Sequence, residues 1–312
     1  MNRRYLQLDV FADRPGAGNP LAVVLDAGAC SERGRTGLDD AQMQAIARWT
    51  RLPETTFVFP PTTDGASYRI RIFSPRREVP FAGHPSVGTA HVVLDAGLAT
   101  ARDGRLLQEG IAGRLPLSIH GEGAARTIAV RTPRGRVVEV ATHADPRLAI
   151  ALAGLAPGAL PPALMDGGRR WWLAELADEA SLRAATPDWA AIAQLAESTE
   201  AMGLCAFARA DAGHDYDLVV RAFVGAPAQF EDAASGAANA TLAAWLKHCD
   251  ALPGRDDPEQ GDPATGSRRY TVSQGREVGF DARLQLRVDG DGEVWSGGQV
   301  CNVVRGTIDW PA

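Results

Sequence analysis

Apolar and polar residues alternate over residues 5–11 and an apolar run covers residues 21–25, the marks of strands. Between them Pro15-Gly-Ala-Gly-Asn-Pro20 gathers turn formers, which predicts that the chain opens on a hairpin. Asp39 and Asp40 then precede Met43, Ile46, Ala47 and Trp49, spaced three to four apart, as in a short helix with acids at its positive end. Residues 55–59, 68–73, 115–119, 127–131 and 137–140 carry strand character, and residues 85–98 carry a helical pattern. The same grammar resumes with strands at 171–176, 205–209 and 218–224 and helices at 188–195 and 237–248. Residues 253–267, crowded with Pro, Gly and Asp, predict a loop, and strands at 270–273 and 284–288 close the pattern.

Two stretches of this pattern repeat. Arg71-Ile-Phe-Ser-Pro leads through an acidic loop to Ala82-Gly83-His84 and a helix, and Arg221-Ala-Phe-Val-Gly leads likewise to Ser235-Gly236-Ala237 and a helix. A single repeat at a period of about 150 residues predicts a duplicated domain, not a solenoid. A length of 312 residues suits two such cores.

Composition narrows the partners. With a net charge of −6 the chain offers no basic field for a nucleic acid backbone. No stretch reaches the ~18 apolar residues that span a bilayer, and the first strand lacks a signal peptide's apolar core, so cytoplasmic small-molecule chemistry is expected. Cys30, Cys205, Cys249 and Cys301 are widely spaced and read as reduced, ordinary thiols. His91 lies seven residues beyond His84, too far along a helix to share an ion; His120, His143, His214 and His248 show no ligand spacing, so no metal is expected.

The two glycine-bearing helix starts carry the candidate chemistry. A helix's first turn leaves backbone N–H groups unpaired and holds the positive end of its dipole, so anions collect there. Gly83 and Gly236 let a ligand approach the backbone, and Pro85 suits the first helical turn. Such starts are common; their repetition is what singles them out.

Asp9-Val-Phe, Gly18-Asn19-Pro20-Leu-Ala-Val-Val, Pro53-Glu54-Thr55-Thr56-Phe57-Val58, Arg71-Ile-Phe-Ser-Pro, residues 80–90 (PFAGHPSVGTA) and Glu231-Asp-Ala-Ala-Ser-Gly-Ala237 together resemble the PhzF family, the phenazine-biosynthesis isomerase-like proteins. The resemblance implies an α/β (α+β) fold of two pseudo-symmetric diaminopimelate-epimerase-like domains, each a sheet wrapped around a central helix, with a cleft between them. Domains are expected at 1–126, with 300–312 packing against it, and at 127–299. It further implies cofactor-free proton transfer on a small carboxylate-bearing metabolite, as in isomerisation of trans-2,3-dihydro-3-hydroxyanthranilate, and a homodimer. By the same resemblance Glu54 is the proton carrier, His84 and Asp232 are further polar active-site groups, and Asn19, Gly83, Ser235, Gly236 and Ala237 bind substrate.

Each residue also has an ordinary reading. A glutamate at a strand start is usually a solvated charge, and Asp232 just before a helix is a good cap. Partial burial behind Pro53 would raise the Glu54 pKa and let it give and take a proton near neutrality. Related epimerases place cysteines where this chain has Ala82 and Ser235, so a two-thiol mechanism is disfavoured. Ala237 stands where the family usually has serine, and Phe280 where an arginine is common; both weaken the substrate assignment. Asp262-Pro-Ala-Thr-Gly-Ser267 spells the second motif more literally, but neither strand nor apolar helix flanks it as the motif requires. A non-cysteine epimerase or lyase, and a non-catalytic binding protein, stay open as alternatives.

Overall fold

The structure is a computed structural model that describes residues 2–28, 37–254 and 266–310. It divides into two units, Met1–Arg131 with Gly297–Ala312, and Thr132–Ser296. Residues 255–265, which hold most of the Pro/Gly-rich stretch and of the Asp262 motif, lie outside the described residues, as does Cys30.

In the first unit the opening hairpin forms, with Asn2–Val10 antiparallel to Asn19–Val24. Its other edge takes Val300–Asp309, also antiparallel. Helix Asp40–Thr50, begun by a capping box between Asp39 and Gln42, leads to Glu54–Phe59, which runs parallel to Asn19–Val24. Tyr68–Phe73 follows antiparallel, and Arg105–Gly110 returns parallel to it. Gly113–His120 and Thr127–Arg131 complete the sheet by hairpins. Helix Gly83–Asp95 is buried at every residue from Gly83 to Val93, since strands on several sides pack on it. Its sequence is accordingly not amphipathic: small and apolar residues lie on all sides, with His84, Ser86, Thr89 and His91 buried among them. Gly88 permits that packing: a Cβ there would meet Leu21 Cδ2 at 2.6 Å and Val10 Cγ2 at 2.8 Å.

The second unit repeats the order. Ala163–Asp166 pairs antiparallel with Arg136–Val140 and with Arg170–Glu175. Helices Glu179–Ala184 and Trp189–Thr199 lead to Gly203–Arg209, parallel to Arg170–Glu175. Leu218–Val224 is antiparallel to that strand, Arg268–Gln274 parallel to Leu218–Val224, and Ala282–Val288 closes a hairpin. The enclosed helix Gly236–His248 has 13 residues, as does Gly83–Asp95.

The repeat noticed in the sequence is physical. Arg71 grips Glu78 with two hydrogen bonds of 2.6 Å, and Arg221 grips Glu231 at 2.9 and 2.7 Å. Each guanidinium also stacks on the phenylalanine two residues on, Phe73 or Phe223. The fork pins the acidic loop against the strand and so sets the path into the helix start.

The expected close at residues 284–288 is corrected: Val294–Gly298 and Val300–Asp309 follow it. Val300–Asp309 is exposed along most of its length, so burial imposes no alternation on its side chains and its sequence carries no strand period. Among the described residues no helix is long and apolar enough to cross a membrane.

Candidate functional site

Glu54 is the first residue of its strand, beside Leu21 of the parallel neighbour, with 20% of its side chain exposed. His84 sits in the first turn of the enclosed helix and is 7% exposed. The fold brings these two together: His84 Nε2 lies 3.3 Å from Glu54 Oε2. Burial lowers the imidazole pKa from 6.5 to about 3, and the positive end of the helix acts in the same direction, so the ring is neutral near pH 7. His84 Nε2 makes no hydrogen bond among the described residues, so the carboxyl group stands within ion-pair distance of it without being bonded to it.

Asn19 is buried at 2% exposure opposite Val10. Gly83 opens the helix, and its cap residue Ala82 provides no side-chain hydrogen bond, so the N–H groups of that turn are not taken by a cap. In the second unit Asp232 ends the strand Phe230–Asp232, and its Oδ1 accepts from Ala234 N at 3.2 Å. Ser235 caps the helix through a 3.4 Å bond from Ala238 N, and Gly236 and Ala237 form its first turn.

The strand registers of the two repeats show where their polar groups differ. Arg71 faces Phe57 and Arg221 faces Ala206, so Glu54 and Gly203 are equivalent strand starts. No side chain fits at 203, where a Cβ would lie 1.9 Å from Phe223 O. Counting from the helix glycines, His84 corresponds to Ala237, Asp232 to Val79 and Ser235 to Ala82. At each of these positions one unit carries the polar group and the other an apolar residue or glycine.

Sequence reasoning missed two buried glutamines. Gln108 donates to Ser86 Oγ at 3.1 Å, and Gln274 binds around the second helix start. Neither stands out in sequence, since Arg105–Gly110 and Arg268–Gln274 both mix polar with apolar residues. The fold also gathers Glu179, Asp211 and His214, whose ligand atoms fall within 4.8 Å of one another, a grouping the linear spacing of His214 did not reveal. They do not suit a resident cation. Arg183 Nε and Tyr216 OH already occupy Glu179 Oε1 at 2.7 and 2.8 Å, and Asp211 N donates to Oε2. Cys205 is buried and its thiol pushed up to about 12, so it is no nucleophile near neutrality.

The family model of the phenazine biosynthesis-like proteins, PhzC-PhzF, matches residues 8–304. The chain belongs to this family. It is 32% identical over 292 residues to the trans-2,3-dihydro-3-hydroxyanthranilate isomerase of Pseudomonas aeruginosa, covering 93% of this chain and 92% of that one. It is 29% identical over 310 residues to antisense-enhancing sequence 1 of Schizosaccharomyces pombe, covering 97% of each. Among solved structures, a PhzF family protein of Bacillus anthracis matches with a TM-score of 0.81 at 21% identity, covering 99% of this chain and all of that one. A predicted epimerase of Pseudomonas aeruginosa gives 0.71 at 27%, covering 98% and 99%. The fold is thus that of PhzF and diaminopimelate-epimerase-like proteins, and this PhzF member falls among isomerase- and epimerase-type enzymes.

Proposed function

We propose that this PhzF protein is an isomerase that moves a proton within a small carboxylated amino or hydroxy metabolite of cyclohexadiene type, with Glu54 as general acid and base. The observation that carries the reading is the 3.3 Å contact between Glu54 and a buried, neutral His84. Glu54 takes a proton from one carbon of the substrate and returns it to another. His84 offers either a hydrogen-bond donor or an acceptor, and so accompanies both protonation states of the carboxyl without becoming charged. The reading assigns the substrate carboxylate to backbone N–H groups at the glycine-bearing helix starts and a substrate amino or hydroxyl group to Asp232. The relative named for trans-2,3-dihydro-3-hydroxyanthranilate makes that compound the first substrate to try.

Glu54→Gln keeps size and polarity and removes the titrating proton. Turnover of trans-2,3-dihydro-3-hydroxyanthranilate should fall by about 10²–10⁴, the usual contribution of general acid–base catalysis. In deuterated water the wild type should place deuterium at the carbon that gains the proton. Turnover in the Gln variant within tenfold of wild type removes Glu54 from this role.

A further inference from the structure

We propose that Gln274 is a positioning residue that holds the second helix start in its ligand-receiving form, an inference that rests on the carboxylate assignment above. Gln274 ends the strand Arg268–Gln274 and is fully buried, at 0% exposure. Its carboxamide is engaged on both sides. Nε2 donates to the carbonyl of Asp232 at 2.8 Å, while Oε1 accepts from Ser235 N at 3.1 Å and from Asn239 Nδ2 at 2.8 Å. Asn239 Nδ2 in turn donates to the Ser235 carbonyl at 2.9 Å.

One side chain therefore fixes the residue that carries the Asp232 carboxylate, the cap, and the fourth helical residue. It also occupies Ser235 N–H, so that the next backbone donors along the chain, at Gly236 and Ala237, are the ones the helix presents. Gly275 serves the same junction. It adopts φ +96°, and a Cβ there would meet Ala233 O at 2.4 Å, so only glycine lets the strand end lie against this loop.

The first unit contains an analogous clasp, which argues against accident. Gln108 Nε2 donates to Ser86 Oγ at 3.1 Å, and Ser86 Oγ donates to the Ala82 carbonyl at 3.0 Å. Ser86 stands three residues after Gly83, as Asn239 stands three after Gly236. The glutamines are not register equivalents: Gln108 lies beside Tyr68, whereas Gln274 lies beside Val220, two places further along its strand than Leu218, the counterpart of Tyr68. Both nevertheless reach the same turn of their helices. Each unit thus aims a buried amide at the first turn of its helix, from a different strand position, while the surrounding polar groups differ between units.

The test uses the full chain and two variants. In Gln274→Leu, amide hydrogen exchange at Ser235, Gly236 and Ala237 should accelerate at least tenfold, with strand Leu218–Val224 unchanged. With trans-2,3-dihydro-3-hydroxyanthranilate, KM should rise about tenfold with kcat within threefold, the pattern of lost substrate binding. Gln274→Glu covers the case in which Leu does not fold. Protonated, its carboxyl supplies one donor and one acceptor as glutamine does; ionised, it sets a second acceptor against the Asp232 carbonyl. Its KM relative to wild type should therefore be near one at pH 5.5 and about tenfold at pH 8. Unchanged exchange at Ser235 and Gly236 overturns the inference whether or not turnover is seen, and so does an unchanged KM despite accelerated exchange. Absence of turnover in the wild type instead overturns the proposed activity, leaving exchange to decide the role of Gln274.

Discussion

The duplicated Arg–Glu forks provide an internal control on burial, since the chemistry is the same and the solvent is not. Arg221 and Glu231 have side chains 5% and 3% exposed, against 23% and 22% for Arg71 and Glu78. Arg221 also donates to the carbonyls of Leu182 and Ala185 at 3.1 and 2.5 Å, so it has no route to water when its partner is lost. Glu231→Gln removes one charge at constant volume and leaves a buried guanidinium without its counter-ion, which costs about 3–5 kcal/mol. Glu78→Gln should cost about 1 kcal/mol or less, since Arg71 keeps Asp40 at 2.5 Å and reaches solvent. For units of this size the first substitution lowers Tm by roughly 10 °C and the second by a few degrees at most. Thermal unfolding followed by tryptophan fluorescence reads the difference, since Trp49 and Trp310 report the first unit and Trp171, Trp172, Trp189, Trp245 and Trp295 the second. Equal losses in the two variants would refute the reasoning, because burial would then not decide what the pair is worth.

Two further outcomes follow from titrating groups. The His84 imidazole binds its proton only near pH 3 when folded but near 6.5 when unfolded, so in that window the unfolded state holds the extra proton and stability falls as pH drops from about 6.5 toward about 3. Its Hε1 resonance should stay flat from pH 5 to 8, and a midpoint near 6.5 would show that attraction to Glu54 outweighs burial. Glu109 accepts from the Thr62 hydroxyl, from Thr62 N at 2.7 Å and from Thr63 N at 3.0 Å; the Thr62 hydroxyl bond, foremost, draws its pKa down to about 2. That contribution is complete above the unfolded value near 4.5 and is lost as pH falls toward 2, so Glu109→Gln should speed amide exchange at Thr62 and Thr63 at pH 7 and reduce the acid sensitivity of that loop; exchange unchanged at pH 7 would contradict it.

Much of the architecture was written in local pattern. Residues 68–73, 127–131 and 218–224 alternate or run apolar because they are buried on one or both faces, and they form strands with those bounds. Both enclosed helices began within two residues of where the sequence placed them, marked by Gly and a first turn rich in small residues. Arg105–Gly110 escaped notice because Arg, Gln, Glu and Gly dilute its two leucines, and Ala163–Asp166 because four residues show no period. The short helices Pro146–Ala151 and Glu179–Ala184 have little more than one turn in which to show one. At the site, resemblance named Glu54 and His84, but thirty residues separate them and only the strand and helix geometry produces their contact. The carboxamide of Gln274 was invisible for the same reason: its partners lie 35 to 42 residues upstream.

The first unit is discontinuous in the chain, and that has a consequence during synthesis. Asn2–Val10 receives one neighbour from Asn19–Val24 almost at once, but its other edge waits for Val300–Asp309. After residue 131 has been made, roughly 180 further residues must be added, which at ordinary translation rates takes about 10–40 s. Throughout that interval the N-terminal strand shows open backbone donors and acceptors to any passing extended segment. Ribosome-bound chains halted before residue 300 should therefore aggregate or recruit chaperones more readily than chains released complete.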